Sequence, residues 1–199
     1  MDGKWLFFQA APAGMRRAIG PSVLKPVRCV FLLALCLAPA WPATLVRLTL
    51  PEMISKSTAI IHGKVTGSST AFRGDVIYTH YQVKVLEQWK GATQSTFDVQ
   101  VPGGAAKGFR QTYAGAPELT PGQEYVLFLW TSSKGYTFSL GFTQGIFNLH
   151  KNAQGSTQAV RAPTTETLLE PKTGRSLKDQ PISMPLTQLI SQITGGANQ

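Results

Sequence analysis

Residues 77–86 read Ile-Tyr-Thr-His-Tyr-Gln-Val-Lys-Val-Leu. Ile77, Thr79, Tyr81, Val83 and Val85 fall on one side of an extended chain, and Tyr78, His80, Gln82 and Lys84 on the other. A helix would scatter these residues around its axis, so the two-residue period specifies a half-buried strand. Residues 59–66 (AIIHGKVT) repeat the pattern, with Ile61, Gly63 and Val65 opposite Ile60, His62 and Lys64. Between the two runs, Gly67–Asp75 (GSSTAFRGD) has the composition of a hairpin loop. Such a pair is antiparallel, with one face on a core and the other in water.

Further strands follow on either side. Ser95–Val101 (STFDVQV) turns Phe97, Val99 and Val101 inward and stops at Pro102-Gly103-Gly104. Glu124–Trp130 (EYVLFLW) follows a Pro121-Gly122 turn and is almost wholly apolar, as a strand buried on both faces would be. Tyr136–Leu140 (after Lys134-Gly135), Ile146–Leu149, Gln158–Val160 and a weak Leu45–Leu50 complete the set, with a shorter run at Phe109–Tyr113. Thr49, Pro51 and Glu52 form a helix-start signature for a turn or two of helix. A closed sheet of five to six strands with short flanking helices fits residues 41–160. Residues 161–199 read as an irregular C-terminal segment with a short helix near 185–193, where Leu186, Leu189, Ile190 and Ile193 recur at helical spacing.

The N-terminal 40 residues read as a signal peptide. Arg16, Arg17, Lys25 and Arg28 precede the apolar run Cys29–Leu37. Ala38 and Ala40 are the small residues of a cleavage site, so the mature chain begins at Trp41. A translation start at Met15 would give a signal of ordinary length. The run is too short to cross a hydrocarbon core of roughly 30 Å, so no stable span is expected after cleavage. The segment carries both cysteines and five of the 19 Lys and Arg, against one of the ten Asp and Glu. The mature chain is therefore cysteine-free, with 14 cations and nine acids, a net charge of +5. Thiol nucleophiles, thiolate metal sites and redox pairs are excluded, and a periplasmic or extracellular location is expected.

Three stretches in order, AIIHGKVTG (59–67), YTHYQVKVLEQWKG (78–91) and LTPGQEYVLFLW (119–130), resemble the netrin-like modules and the tissue inhibitors of metalloproteinases. They also resemble secreted bacterial proteins of unknown role with that layout. The resemblance implies an OB fold, so the fold class expected is all-β, an OB-like antiparallel barrel with short flanking helices. The animal inhibitors grip the protease zinc through an N-terminal cysteine. This mature chain has none, and that route of inhibition does not carry over.

Site candidates are few. If Gly67–Asp75 closes a regular hairpin, His62 faces His80, and two opposed imidazoles could share a transition metal. A zinc site needs at least three protein ligands, so the pair is read as solvated polar residues and no metal is expected. Gly141-Phe142-Thr143-Gln144-Gly145 has the spacing of a nucleophile elbow, with Thr143 in place of serine. The strand-like IFNLH that follows, where an elbow needs a helix, makes it a turn. No metalloprotease, phosphate-loop or dinucleotide motif occurs, so no catalytic residue and no cofactor is expected. The loop Pro102–Pro117 (PGGAAKGFRQTYAGAP) is long and carries Lys107, Phe109, Arg110 and Tyr113, the candidate interaction residues.

These features describe an exported, non-enzymatic binding module whose partner is a protein or an envelope polymer. The alternatives are an inhibitor or accessory chain of a secreted peptidase, acting through the 102–117 loop, and a hydrolase whose site the sequence hides. Export and a mature charge of only +5 argue against nucleic acid.

Overall fold

The computed structural model describes residues 44–196. The expected signal segment and its cleavage site, with Ala38, Ala40 and Trp41, lie outside the described residues. The chain runs β1 (Thr44–Val46), α1 (Leu50–Lys56), β2 (Ala59–Arg73), β3 (Val76–Lys90), β4 (Thr96–Pro102), β5 (Gly104–Ala106), β6 (Phe109–Gln111), β7 (Glu124–Thr131) and β8 (Thr137–Ser139). A 3-10 turn (Phe142–Gly145) leads into β9 (Ile146–Lys151), β10 (Thr157–Arg161), β11 (Thr167–Leu169), β12 (Ser176–Leu177), β13 (Ile182–Pro185) and α2 (Leu186–Gly196). The chain is mostly β, as its alternation requires.

The main sheet has the order β13-β10-β9-β7-β2-β3-β4-β8, and β8 also pairs with β7. The pairings β7-β2-β3-β4-β8 thus return to β7. All are antiparallel except β4 with β8, which meet in parallel at Val99 and Thr137, so the expectation of a wholly antiparallel sheet is corrected there. Ile61, Val65, Tyr81, Val83, Phe97, Val99, Leu127 and Leu129 form one buried cluster. Ile60, Val126, Phe128, Phe147 and Ala159 join Met53 and Ile54 of α1 and Leu189 and Ile193 of α2 in a second, on the opposite sheet face. β7 contributes to both clusters, which is why Glu124–Trp130 is an unbroken apolar run.

Local chemistry fixes the flanking helices. Thr49 and Glu52 form a complete capping box at α1, and the hydrogen bond from the Thr49 backbone N–H holds the Glu52 carboxyl below its ordinary value. At the other end Lys90 donates to the carbonyls of Ile54 (2.5 Å) and Ser55 (3.0 Å), placing a cation where the helix dipole is negative. Buried Gln144 binds β1 to the sheet, accepting from Leu48 N–H (2.9 Å) and donating to Val46 C=O (3.0 Å).

The structure corrects two expectations of secondary structure. Gly67–Asp75 is not a loop: β2 and β3 stay paired out to Arg73 and Val76, and only Gly74-Asp75 makes the turn. Ser68 to Phe72 are exposed, because this end of the hairpin projects past the core as an arm. Ladder hydrogen bonds hold it, and they need no apolar pattern. Residues 161–185, expected to be irregular, contain β11 to β13. β13 extends the main sheet beside β10, while β11 pairs in parallel with β1.

Candidate functional site

The loop 102–117 is built as a small ribbon. β5 and β6 pair across the turn Lys107-Gly108, where both residues have positive φ (49° and 80°). The ribbon is clamped on the β2–β3 arm. Thr70 donates to the Ala105 carbonyl at 2.5 Å, and the Gln111 amide bridges Ile77 N–H and Asp75 C=O, both at 2.7 Å. Gly104 makes the close approach possible, since a Cβ there would stand 2.7 Å from the Thr79 hydroxyl oxygen.

Of the four candidates in that loop, three reach solvent. Phe109 is 52 % exposed and meets the exposed Phe72 of the arm edge to face, with ring centroids 6.2 Å apart. Lys107 and Arg110 flank it, both exposed. Tyr113 instead turns inward and lines a cavity of about 130 Å³ with Tyr81, Thr79, Val101 and Arg110. Burial pushes the Tyr113 and Tyr81 hydroxyls up from their ordinary range, with the Leu119 N–H opposing it at Tyr81. Both therefore stay protonated at neutral pH and serve as hydrogen-bonding groups. A second cavity of about 140 Å³ lies across Pro117 and Glu118, lined by Tyr125, Thr143, Ile146 and Asn148. Thr143 sits in the 3-10 turn and is followed by β9, so GFTQG has a strand where an elbow has its helix.

The two histidines do not face each other. Because the hairpin turns at Gly74-Asp75 alone, the register of β2–β3 sets His62 opposite Glu87 and His80 opposite Ser69. Seven residues of strand separate those positions on β2, roughly 20 Å at 3.3 Å per residue. Each imidazole has its own carboxylate. His62 Nε2 lies 3.1 Å from Glu124 and His80 Nδ1 2.8 Å from Asp98. Among the described residues no group of three His, Cys, Asp or Glu is placed to hold a metal.

A surface that the sequence reading did not find lies on the outer face of β3, β4 and β8. The guanidinium of Arg73 sits between two rings, 3.7 Å from the centroid of Tyr78 and 4.1 Å from that of Tyr136. Phe138 continues the row beside Tyr78 (6.3 Å) and stacks on Trp130 (6.2 Å). The turn at Gly135 (φ 82°) is what brings Tyr136 and Phe138 back over β4. Beside the rings runs a polar chain. Arg73 donates to Gln100 (2.6 Å), Gln100 donates to Asp98 (3.2 Å), and Asp98 also receives His80 and, at 3.4 Å, Gln82. The residues come from five strands, β2, β3, β4, β7 and β8, and from the turn before β8, and meet only through sheet register. A row of half-buried rings next to planar donors and acceptors can stack on a flat apolar surface and hydrogen-bond at its edge.

Compared with family models, curated proteins and solved structures, the chain matches none of the three.

Proposed function

We propose that the chain is an exported, non-enzymatic binding module with an OB-like barrel, and that the ring row and polar chain on β3, β4 and β8 bind an envelope polymer. The barrel reading is supported by the strand order β2-β3-β4-β8-β7 returning to β2, with its single parallel contact between β4 and β8. The three stretches that carry the netrin-like resemblance fall on β2, on β3 and on the turn into β7 with β7 itself. The observation that carries the function is the Arg73 sandwich beside the Gln100–Asp98–His80 chain.

Between the two partner classes, this face suits a glycan better than a protein. Rings of this kind stack on the C–H face of a sugar, while paired amide and carboxylate groups answer adjacent hydroxyls. It suits a glycan better than a nucleic acid too, because the Asp98 carboxylate lies in the same polar chain as Arg73, where a single strand requires a positive groove. Placement favours binding over catalysis. His80 and Asp98 lie on an open sheet face, not in a cleft that excludes water.

The test is affinity electrophoresis of the mature protein through gels carrying soluble peptidoglycan fragments or other envelope glycans. Retardation that disappears in Tyr136→Ala and in Asp98→Ala, with unchanged melting, is the expected result. Free migration in every glycan, or retardation indifferent to both substitutions, overturns the proposal.

A further inference from the structure

The two hairpin ends form a second surface, which meets the ring row at Arg73. We propose that this tip docks on an anionic membrane surface, with Phe72 and Phe109 entering the interface and Lys107 and Arg110 held at the level of the lipid phosphates. Phe72 and Phe109 are two of only four large apolar side chains exposed among the described residues, and they touch. They come from separate hairpins that meet in one place, so the pair is presented at the end of the arm and not scattered over the fold. Their exposure also has no internal purpose. The core beneath is closed by Ile77, which is fully buried.

The charges around the rings select the partner. Lys107 is exposed in the β5–β6 turn, Arg110 is exposed on β6 next to Phe109 in sequence, and Arg73 follows Phe72. Arg73 is occupied by Gln100 and by the rings of Tyr78 and Tyr136, so its charge contributes to the field while its donors are engaged. Against these stand Asp75, in the β2–β3 turn, and Glu118, which lines the Tyr113 cavity with Arg110. Exposed aromatic rings bordered by cations are the composition that binds the interface of an anionic bilayer. A protein partner is disfavoured by size. A stable protein interface needs about 800 Å² on each side, and two rings at the end of an arm present a small part of that. A lipid surface is fluid and makes no such demand for a broad complementary patch. No helix among the described residues is long and apolar enough to cross a membrane, so the association proposed is peripheral.

The ribbon is suited to bear this load. Thr70–Ala105, Ile77–Gln111 and Asp75–Gln111 contacts tie it to the arm, so the rings are held in place before binding and little order is lost on docking.

The experiment is co-sedimentation of the full mature chain with vesicles of phosphatidylcholine alone and of two parts phosphatidylcholine to one part phosphatidylglycerol. Binding is expected only to the anionic vesicles, and it should fall as salt is raised. Lys107→Glu with Arg110→Glu should abolish it, since each cation near an anionic leaflet is worth about fivefold in partition. Phe72→Ser with Phe109→Ser should weaken it at least tenfold while melting is unchanged. No sedimentation with anionic vesicles, or sedimentation indifferent to both double variants, overturns the proposal. Capture of a protein through Phe72 and Phe109 by a chain that ignores vesicles overturns it as well. Glycan retardation of the same double variants separates the two surfaces. They should migrate as the parent does, so loss of vesicle binding alone concerns the tip, and loss of glycan binding in the parent concerns the ring row.

Discussion

Arg161 and Asp179 form a bidentate ion pair in which both hydrogen bonds measure 2.8 Å and the side chains are 6 % and 4 % exposed. Arg161 ends β10, and Asp179 lies in the segment before β13. Asp179 also accepts the backbone N–H groups of Thr164 and Gln180, and Arg161 donates to the Gln180 carbonyl. The pair is the tie that folds residues 162–181 back onto the sheet.

Burial by itself raises the Asp179 carboxyl, but the Arg161 and backbone hydrogen bonds outweigh it and hold the group below its ordinary value. A carboxyl depressed in the folded state adds stability above its unfolded value of about 3.9, and that stability is lost as pH falls through the folded value. Asp179→Asn leaves a buried guanidinium without its counter-charge, a loss of roughly 3–5 kcal/mol at neutral pH. For a domain of this size the melting temperature should drop by roughly 6–20 °C. Thermal melts of parent and variant at neutral pH and below pH 4 check both halves. The gap should be wide at neutral pH and should narrow in acid.

Val83 tests the facing of the central hairpin. It is fully buried, stands opposite Val65 on β2 and Phe97 on β4, and shares the first core cluster with both. Val83→Asp would place an unpaired carboxylate there, at a cost of several kcal/mol. Circular dichroism should show a largely unfolded variant. A melt within a degree or two of the parent would mean that β3 presents its other face to the core.

Gly91 tests a tight join. It has φ 94°, and a Cβ would stand 2.5 Å from the Thr58 carbonyl oxygen, where the start of β2 passes the end of β3. Gly91→Ala meets both backbone strain and a backbone contact that no rotamer relieves. A destabilisation of at least 1–3 kcal/mol is expected in urea unfolding, of the order of one strained backbone site. By contrast Gly67, which has open space around it, should accept alanine at little cost.

Legibility in the sequence followed burial. β2, β3, β4 and β7 were readable because each pairs a buried face with a distinct pattern, and α2 because Leu189 and Ile193 are its core residues. The outer half of the β2–β3 arm was not, because nothing buries Ser68 to Phe72 and their polar side chains look like a loop. Reading 67–75 as the loop shifts the pairing by seven residues and sets His62 across from His80 instead of Glu87. The strand β1 was half-visible, but its parallel partner β11 lies more than 100 residues away and has no local signal. The same holds for the ring row. Arg73, Tyr78, Gln100 and Tyr136 are unremarkable polar and aromatic residues until β8 lies down beside β4. Phe109, Lys107 and Arg110 could be picked out because a long Gly-rich loop invites inspection, whereas their partner Phe72 sat inside the misread hairpin.

The last prediction concerns metal. His62 and His80 are on different parts of the hairpin and each is engaged by one carboxylate, Glu124 and Asp98 respectively. Zinc binding at either place would have one imidazole and one partly exposed carboxylate, two ligands where a stable site has three or four. The His80 carboxylate is moreover shared with Gln100 and Gln82, so a metal there would have to break the polar chain. Titration of residues 41–199 with zinc should therefore give only weak binding. His80→Ala should leave melting within about 1 kcal/mol of the parent, since both His80 and its partner Asp98 are partly exposed. The informative readout is the comparison of variants. Because the histidines are far apart, His62→Ala and His80→Ala should change zinc binding independently. A tight stoichiometric site lost in either single variant would require the two imidazoles to share one ion, and would contradict the register that sets His62 against Glu87.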